Sequence, residues 1–426
     1  MNNNTVKNEK GLNFGKNGWL VIFNQAIMFW IGAGVTTHGL NVILPAISEF
    51  YHLNYEELLF VVTPASWAAI PAAPLCSWLC EKKGNKFVIC LCLLLCAVCW
   101  GLIGYANSVL GFALLFAGVS FFGTGYAYIA GTALVASWFV RKQSLALGFI
   151  TFGQTTSSAF FVPVLSVMLS VWGVRYGFWG ISLLMLLVCL FIIKFIFNKP
   201  EDIGELPDNE QIEQTLQQSI QTENYSYLTR KQLLGEKDIW FMGVSTGIIY
   251  IMLVGVTSQI IPRLVSIGFE VNTAILYMSV SALIGTFGAY AWGWVNHKVG
   301  IKTALIIYNL WWQAAILLNL SSSSTILLIS MFMIGLALPG ATNYSTAFVA
   351  TKYPRHAYVK AIGLVHPIQS IVRCCAFSIL AFGLAYLGGY NGAYLLLAAI
   401  GIISLVLIWL TDLTPVQGNT NSQIDN

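Results

Sequence analysis

Charge is scarce in this chain: only 9% of its 426 residues are Asp, Glu, Lys or Arg, against roughly a quarter in a soluble globular protein. With 57% hydrophobic residues and a mean hydropathy of +0.74, that scarcity excludes a water-soluble globule and points to the lipid bilayer as the main partner. Acid is scarcer still in the apolar runs, because Glu49, Glu56, Glu57, Glu270 and Asp412 all fall at their ends or in loops. The period-2 alternation of an outer-membrane barrel is missing, since stretches such as Phe87 to Leu102 are continuously apolar. No small-residue cleavage site follows the polar stretch Met1 to Lys16, so the first apolar run is expected to stay as an anchor. Nine cysteines (76, 80, 90, 92, 96, 99, 189, 374 and 375) have no companion set of His or acidic ligands. They read as small packing residues, without metal or redox work. No set of nucleophile, base and orienting residue occurs in the spans, which argues against an enzyme, and no cofactor motif is present.

What the chain has is apolar length. A spanning helix takes about 20 residues, and twelve runs qualify: near Trp19 to Leu44, Leu58 to Leu79, Phe87 to Tyr105, Leu110 to Ala136, Leu145 to Trp172, Tyr176 to Phe197, Ile239 to Ile261, Thr273 to Val295, Thr303 to Leu318, Thr325 to Phe348, Ala361 to Leu387 and Ala393 to Leu410. Between the sixth and seventh lies a polar, acidic segment, Asn198 to Lys237, which reads as a solvated tether with a short surface helix from Gln211 to Gln221. The expected division is an N-terminal six-helix bundle over 1–197, a cytoplasmic linker over 198–237 and a C-terminal six-helix bundle over 238–426. With both termini placed inside, Lys82, Lys83, Lys86, Arg141, Lys142, Lys298, Lys302, Lys352, Arg355 and Lys360 fall on the cytoplasmic side, and Arg175 and Arg263 fall outside. This asymmetry sets the orientation of a multi-pass cell-membrane protein. It also accounts for the net charge of +4 without a nucleic-acid partner.

The halves repeat one another. Trp19 precedes Gly34-Val35-Thr36-Thr37 by the same spacing with which Trp240 precedes Gly255-Val256-Thr257-Ser258. The loop Ser77-x-x-x-Glu81-Lys82-x-Gly84-x-Lys86 matches Gly293-x-x-x-His297-Lys298-x-Gly300-x-Lys302, and Thr132-Ala133-x-Val135-Ala136 with Arg141 matches Thr346-Ala347-x-Val349-Ala350 with Arg355. These are parallel repeats, so the fold class is an all-α membrane protein of twelve transmembrane helices in two pseudo-symmetric six-helix bundles.

Twelve spans in two halves joined to that loop motif resemble the major facilitator superfamily. Within it, Gly18-Trp19, the Ser137-Trp138-Phe139 to Arg141 loop and Pro200-Glu201-Asp202-Ile203-Gly204 with Pro207-Asp208 resemble the oxalate/formate antiporter and monocarboxylate transporter branch. Ser77 stands where the family loop has Gly, and His297 where it has an acid. The resemblance implies a secondary or exchange transporter working by alternating access, coupled to a proton or a counter-anion. Glu81, Lys82, Gly84, Lys86, Arg141, Gly293, His297, Lys298, Gly300, Lys302 and Arg355 are the expected gating residues, since a Gly-centred turn lets helices approach and its charges can bond neighbouring helix ends. The alternative is that they anchor topology alone.

Ionisable groups inside a bilayer are costly and mark substrate paths. Arg373 lies about 20 Å from the inner surface, counting a rise of about 1.5 Å per residue from Lys360, and no carboxylate shares its depth. A small organic anion, neutralised by the planar guanidinium fork, is therefore the expected substrate. Gln369 and His366 extend a polar stripe along the same helix face. Gln154, the repeat mate of Gln369, together with Tyr250, Asn24, Tyr126, Tyr128 and Asn343 completes the candidate binding set. Packing or an ordinary interhelical hydrogen bond is the competing reading for each, and for His38 it is the preferred one.

The oxalate/formate branch carries an Arg in span eight where this chain has Ala289, so a dianion fits poorly. A monocarboxylate with an apolar body fits better, with Trp292, Tyr290 or Tyr250 flanking that body. The monocarboxylate branch's acid and base pair in span eight is absent as well, so its proton-coupling scheme does not transfer. An exporter of amphipathic or hydrophobic compounds and a receptor that binds without transport stay open as alternatives, and a monomer is expected.

Overall fold

The computed structural model describes residues 14–139, 143–209, 230–353 and 355–414. In chain order these form α1 (Gly15–Ala33), a π turn (Gly34–His38), α2 (Leu40–Tyr51), α3 (Tyr55–Ser66), α4 (Ala69–Lys83), α5 (Asn85–Ile103), α6 (Val109–Gly123), a second π turn (Thr124–Ala130), α7 (Gly131–Trp138) and α8 (Gln143–Phe195). After the linker come α9 (Arg230–Gly235), α10 (Lys237–Ser266), α11 (Val271–Val299), α12 (Ile301–Leu318), α13 (Ser324–Ala337), α14 (Gly340–Lys352), α15 (Arg355–Cys374), α16 (Ala376–Tyr386) and α17 (Tyr390–Leu410). Helices are what a bilayer demands, because each must satisfy its own backbone hydrogen bonds away from water.

Several crossings are broken helices. α3 with α4 and α15 with α16 each make one crossing, α11 bends by 46°, and α13 meets α14 at 42°. α8 is in fact two crossings, divided at Gly173 (φ 73), so the described residues cross twelve times. The division at Gly173 falls between the fifth and sixth runs read from the sequence.

Each half packs around its own core, with α1 and α5 on α8 in the first and α10 against α15 and α17 in the second. The cysteines serve that packing: the Sγ atoms of Cys76 and Cys92 close on Gly125, and that of Cys99 closes on Gly118. Between the halves, α2 meets α10, α3 meets α16 and α8 meets α11. The cross-half hydrogen bonds of the described residues cluster away from the termini, in α2, α3, the later part of α10 and the junction of α15 with α16. The far end is therefore clasped shut.

At the terminal end the hydrogen bonds of the described residues stay within each half. Asn17 donates to Glu205 at 2.6 Å, and Ser137 and Trp138 donate to the Asn198 and Phe197 carbonyls. The first residues after the sixth crossing are thus tied to the first half by hydrogen bonds while Lys199, Glu201, Asp202, Gly204, Leu206 and Asn209 stay exposed, and the Gln211 to Gln221 helix expected from sequence lies outside the described residues. In the second half, Lys352 forms a buried ion pair with Asp238, whose other oxygen accepts from the Asp412 N–H at 3.2 Å. Just beyond α14, burial first and the neighbouring Glu236 carboxylate second push the pKa of the Tyr353 phenol up.

The repeated loops fold alike. Gly84 (φ 85) and Gly300 (φ 77) each end one helix and begin the next in a backbone region that L side chains avoid. Lys86 Nζ then donates to the Ile193 carbonyl at 2.8 Å and Lys302 Nζ to the Thr411 carbonyl at 2.9 Å, each at the C-terminal end of the sixth helix of its own half. A cation belongs there, since the last carbonyls of a helix are unpaired and carry its negative pole. Gly84→Ala and Gly300→Ala should each destabilise the protein by about 1–3 kcal/mol, seen as a lower apparent melting temperature. The Gly84 change should be the worse of the two, because a Cβ there meets the Asn198 side chain at 3.1 Å while the space beside Gly300 is open.

Candidate functional site

The last turn of α15 ends at Arg373 and Cys374, and the helix breaks at Cys375 before α16 resumes. Arg373 is half-buried, and its guanidinium lies beside the Cys374 side chain and within electrostatic range of Tyr128 from the second π turn and Tyr250 from α10. Phenols from both halves therefore lie within electrostatic range of one cation. No carboxylate of a described residue is in ion-pair contact with it.

Local structure aims these groups. The π turn, a device often found at functional sites, carries both Tyr126 and Tyr128, and both side chains reach the space beside Gly32 of α1. Tyr128 packs its ring 5.1 Å from Phe29 of α1. Tyr126 is fully buried near Cys96, and its hydroxyl has no partner. Behind the turn, Gln25 donates to the Ala127 carbonyl at 2.7 Å, and a Cβ on Gly131 would stand 2.1 Å from the Gln25 Oε1. Only glycine leaves room there for the amide that holds the turn.

Tyr250 shares a hydrogen bond of 2.9 Å with Thr342, next to the exposed Asn343 on α14, which ties that face to the Arg373 group. Gln369 is buried and donates to Ser345 at 2.9 Å, inside its own half. His366 is exposed, within reach of Gln369 and of the Arg373 charge. Gln154 is half-buried on α8. Asn24 is 1% exposed and both of its amide atoms lack partners.

The structure thus brings Arg373, Tyr128, Tyr250, Gln369 and His366 into one neighbourhood, while Tyr126 lies within the first half. Trp292, expected to flank a ligand, instead makes edge-to-face contacts with Tyr308, Trp311 and Tyr344 and donates to the Leu336 carbonyl. Tyr290 is 81% exposed.

Of the gating set, Lys82 and Lys298 sit over the rings of Trp78 and Trp294 at 4.1 and 5.6 Å. Glu81 and His297 are exposed, and no neighbour lies within 4 Å of a Cβ built on Gly293. Arg141 lies outside the described residues, as does the side chain of Arg355.

Two features escaped the sequence reading. Arg263, assigned to an outer loop, lies inside α10, is 4% exposed and donates to the Asn319 carbonyl at the end of α12. The helix outran its apolar stretch, and a helix-end carbonyl absorbs the charge. The other is the Asp238–Lys352 pair, whose members look like ordinary terminal charges until α10 and α14 meet.

Two helical halves closing at one end over a half-buried cation have the architecture of a membrane carrier. The chain belongs to the Major Facilitator Superfamily, whose family model matches residues 19–308 and 265–425, and it is a transporter rather than an enzyme. No curated protein matches it. Among solved structures it is similar to a bacterial homolog of the human lysosomal transporter Spinster in an inward-facing, unoccupied conformation (15% identity over 92% of this chain and 96% of that one, TM-score 0.69). A D-xylose-proton symporter (14%, 93% and 97%, TM-score 0.70) and the nucleoside transporter NupG (14%, 92% and 98%, TM-score 0.68) are also similar. At these identities the likeness is one of fold.

Proposed function

We propose that this protein carries a small organic anion, a monocarboxylate with an apolar body, by secondary active or exchange transport across the cell membrane. The observation behind this reading is Arg373: a guanidinium within a helix, within electrostatic range of tyrosines of both halves and with no carboxylate of the described residues in ion-pair contact. A charge in that setting calls for a counter-ion, and a carboxylate ligand supplies one to a fork of donors. Tyr128 and Tyr250 add hydroxyls and rings for the rest of the substrate.

The domain division at 1–197, 198–237 and 238–426 and the affinity with the oxalate/formate and monocarboxylate branch belong to the same proposal. So do the cytoplasmic termini, on which the clasped far end is extracellular and the described form is inward-facing. A proton or a counter-anion completes the cycle.

A thermal-shift screen of the purified protein tests the proposal. Carboxylates at about 100 times their Kd should stabilise it by about 2.7 kcal/mol, while their neutral amide analogues should not. Equal stabilisation by neutral or cationic amphipathic compounds would instead favour an exporter of hydrophobic molecules.

A further inference from the structure

Two side chains of the first half reach into helices of the second at the far end, and both grip the same kind of target. Asn41, on α2, donates Nδ2 to the Thr257 carbonyl at 2.6 Å, and its Oδ1 accepts from the Ile261 N–H at 3.0 Å. Those two peptide groups, four residues apart, are a pair that a helix bonds to each other. Thr63, on α3, repeats the move on the eleventh crossing: its hydroxyl donates to the Cys374 carbonyl at 2.7 Å and accepts from the Ser378 N–H at 2.9 Å. Cys374 and Ser378 are again four apart, and they straddle the break at Cys375. Both side chains are buried, at 1% and 4% exposure. A carboxamide and a hydroxyl are uncharged groups able to donate and accept at once, as this substitution requires.

We infer that Asn41 and Thr63 form a two-point latch on the far gate, Thr63 standing in for a helix hydrogen bond that the α15–α16 junction re-forms when the halves part and Asn41 bonding a peptide pair of α10 that stays helical without it. Opening a dry interface ordinarily strands polar groups, and each stranded group is costly. Here the departing side chain leaves behind a carbonyl and an N–H already placed for one another, so the second half heals as it is released. The healed eleventh crossing is straighter at Cys375. Because the carbonyl held by Thr63 belongs to the residue after Arg373, the latch also sets the direction of that guanidinium, which makes Thr63 a positioning residue for the candidate site. The latch rests on the fold and the clasped interface, and it stands whichever ligand Arg373 takes.

Hydrogen–deuterium exchange of the full purified chain, read by mass spectrometry, tests the latch without a ligand. In Thr63→Val, Asn41→Leu and the double variant, exchange should rise at the far end (α2, α3, 257–266 and α16) and slow at the terminal ends of α4, α7 and α14. The change should be about fivefold for each lost contact, the population ratio expected when one net hydrogen bond is removed. Thr63→Ser, which keeps the hydroxyl, should exchange as the parent does. A parental pattern in the double variant overturns the latch, as does a far-end rise without slowing at the terminal end, which would mark loosened packing instead of a shifted gate. Thr63→Val nearly preserves shape, so it carries the test even where Asn41→Leu folds poorly.

Discussion

Arg373→Ala should reduce initial uptake of a carboxylate substrate into proteoliposomes by about 100-fold at low substrate concentration, equivalent to about 2.8 kcal/mol. That is the scale expected when a desolvated charge-assisted contact is cut. Arg373→Lys keeps the charge but loses the planar fork, so it should recover part of the activity and end about tenfold below the parent. The loss should appear with little change in thermal stability, because the guanidinium has no ion-pair partner among the described residues to strand. Undiminished anion uptake by a well-folded Arg373→Ala protein would remove the charge from the mechanism and leave the transporter fold without an assigned cargo.

The largest effect on stability should come from the terminal end of the second half. Asp238→Asn or Lys352→Met leaves one member of a buried ion pair alone, and breaking such a pair costs about 3–5 kcal/mol. Asp238 also accepts the Asp412 N–H, so its loss should in addition loosen the chain after α17. Replacing both members, as in Asp238→Leu with Lys352→Met, removes the stranded charge and should destabilise less than either single change. Apparent melting temperatures of the three proteins in detergent settle the order. A double variant no better than the worse single one would show that Asp238 serves α17 more than it serves Lys352.

Much of the architecture was legible in advance because the bilayer imposes it. Apolar length, the matched loops around Gly84 and Gly300 and the turn at Gly173 all follow from chemistry written along the chain. The loop lysines were harder to read. Lys86 and Lys302 bond neighbouring helix ends, each within its own half. Among the aromatics, Tyr128 and Trp292 carry the same composition signal and came out with different neighbours, because one sits on a π turn within electrostatic range of Arg373 and the other in a ring cluster.

By itself the sequence determined a twelve-span chain in two repeated halves, with one arginine deep in a span that no acid of similar depth could neutralise. Tertiary structure alone decided how the other buried polar groups are compensated. It placed Arg263 on the carbonyl that ends α12, joined Asp238 to Lys352, and set Asn41 and Thr63 on peptide groups of the opposite half. The reason is physical: in most of these contacts the partner is backbone, which every residue carries, so no side-chain pattern can announce it before the helices pack.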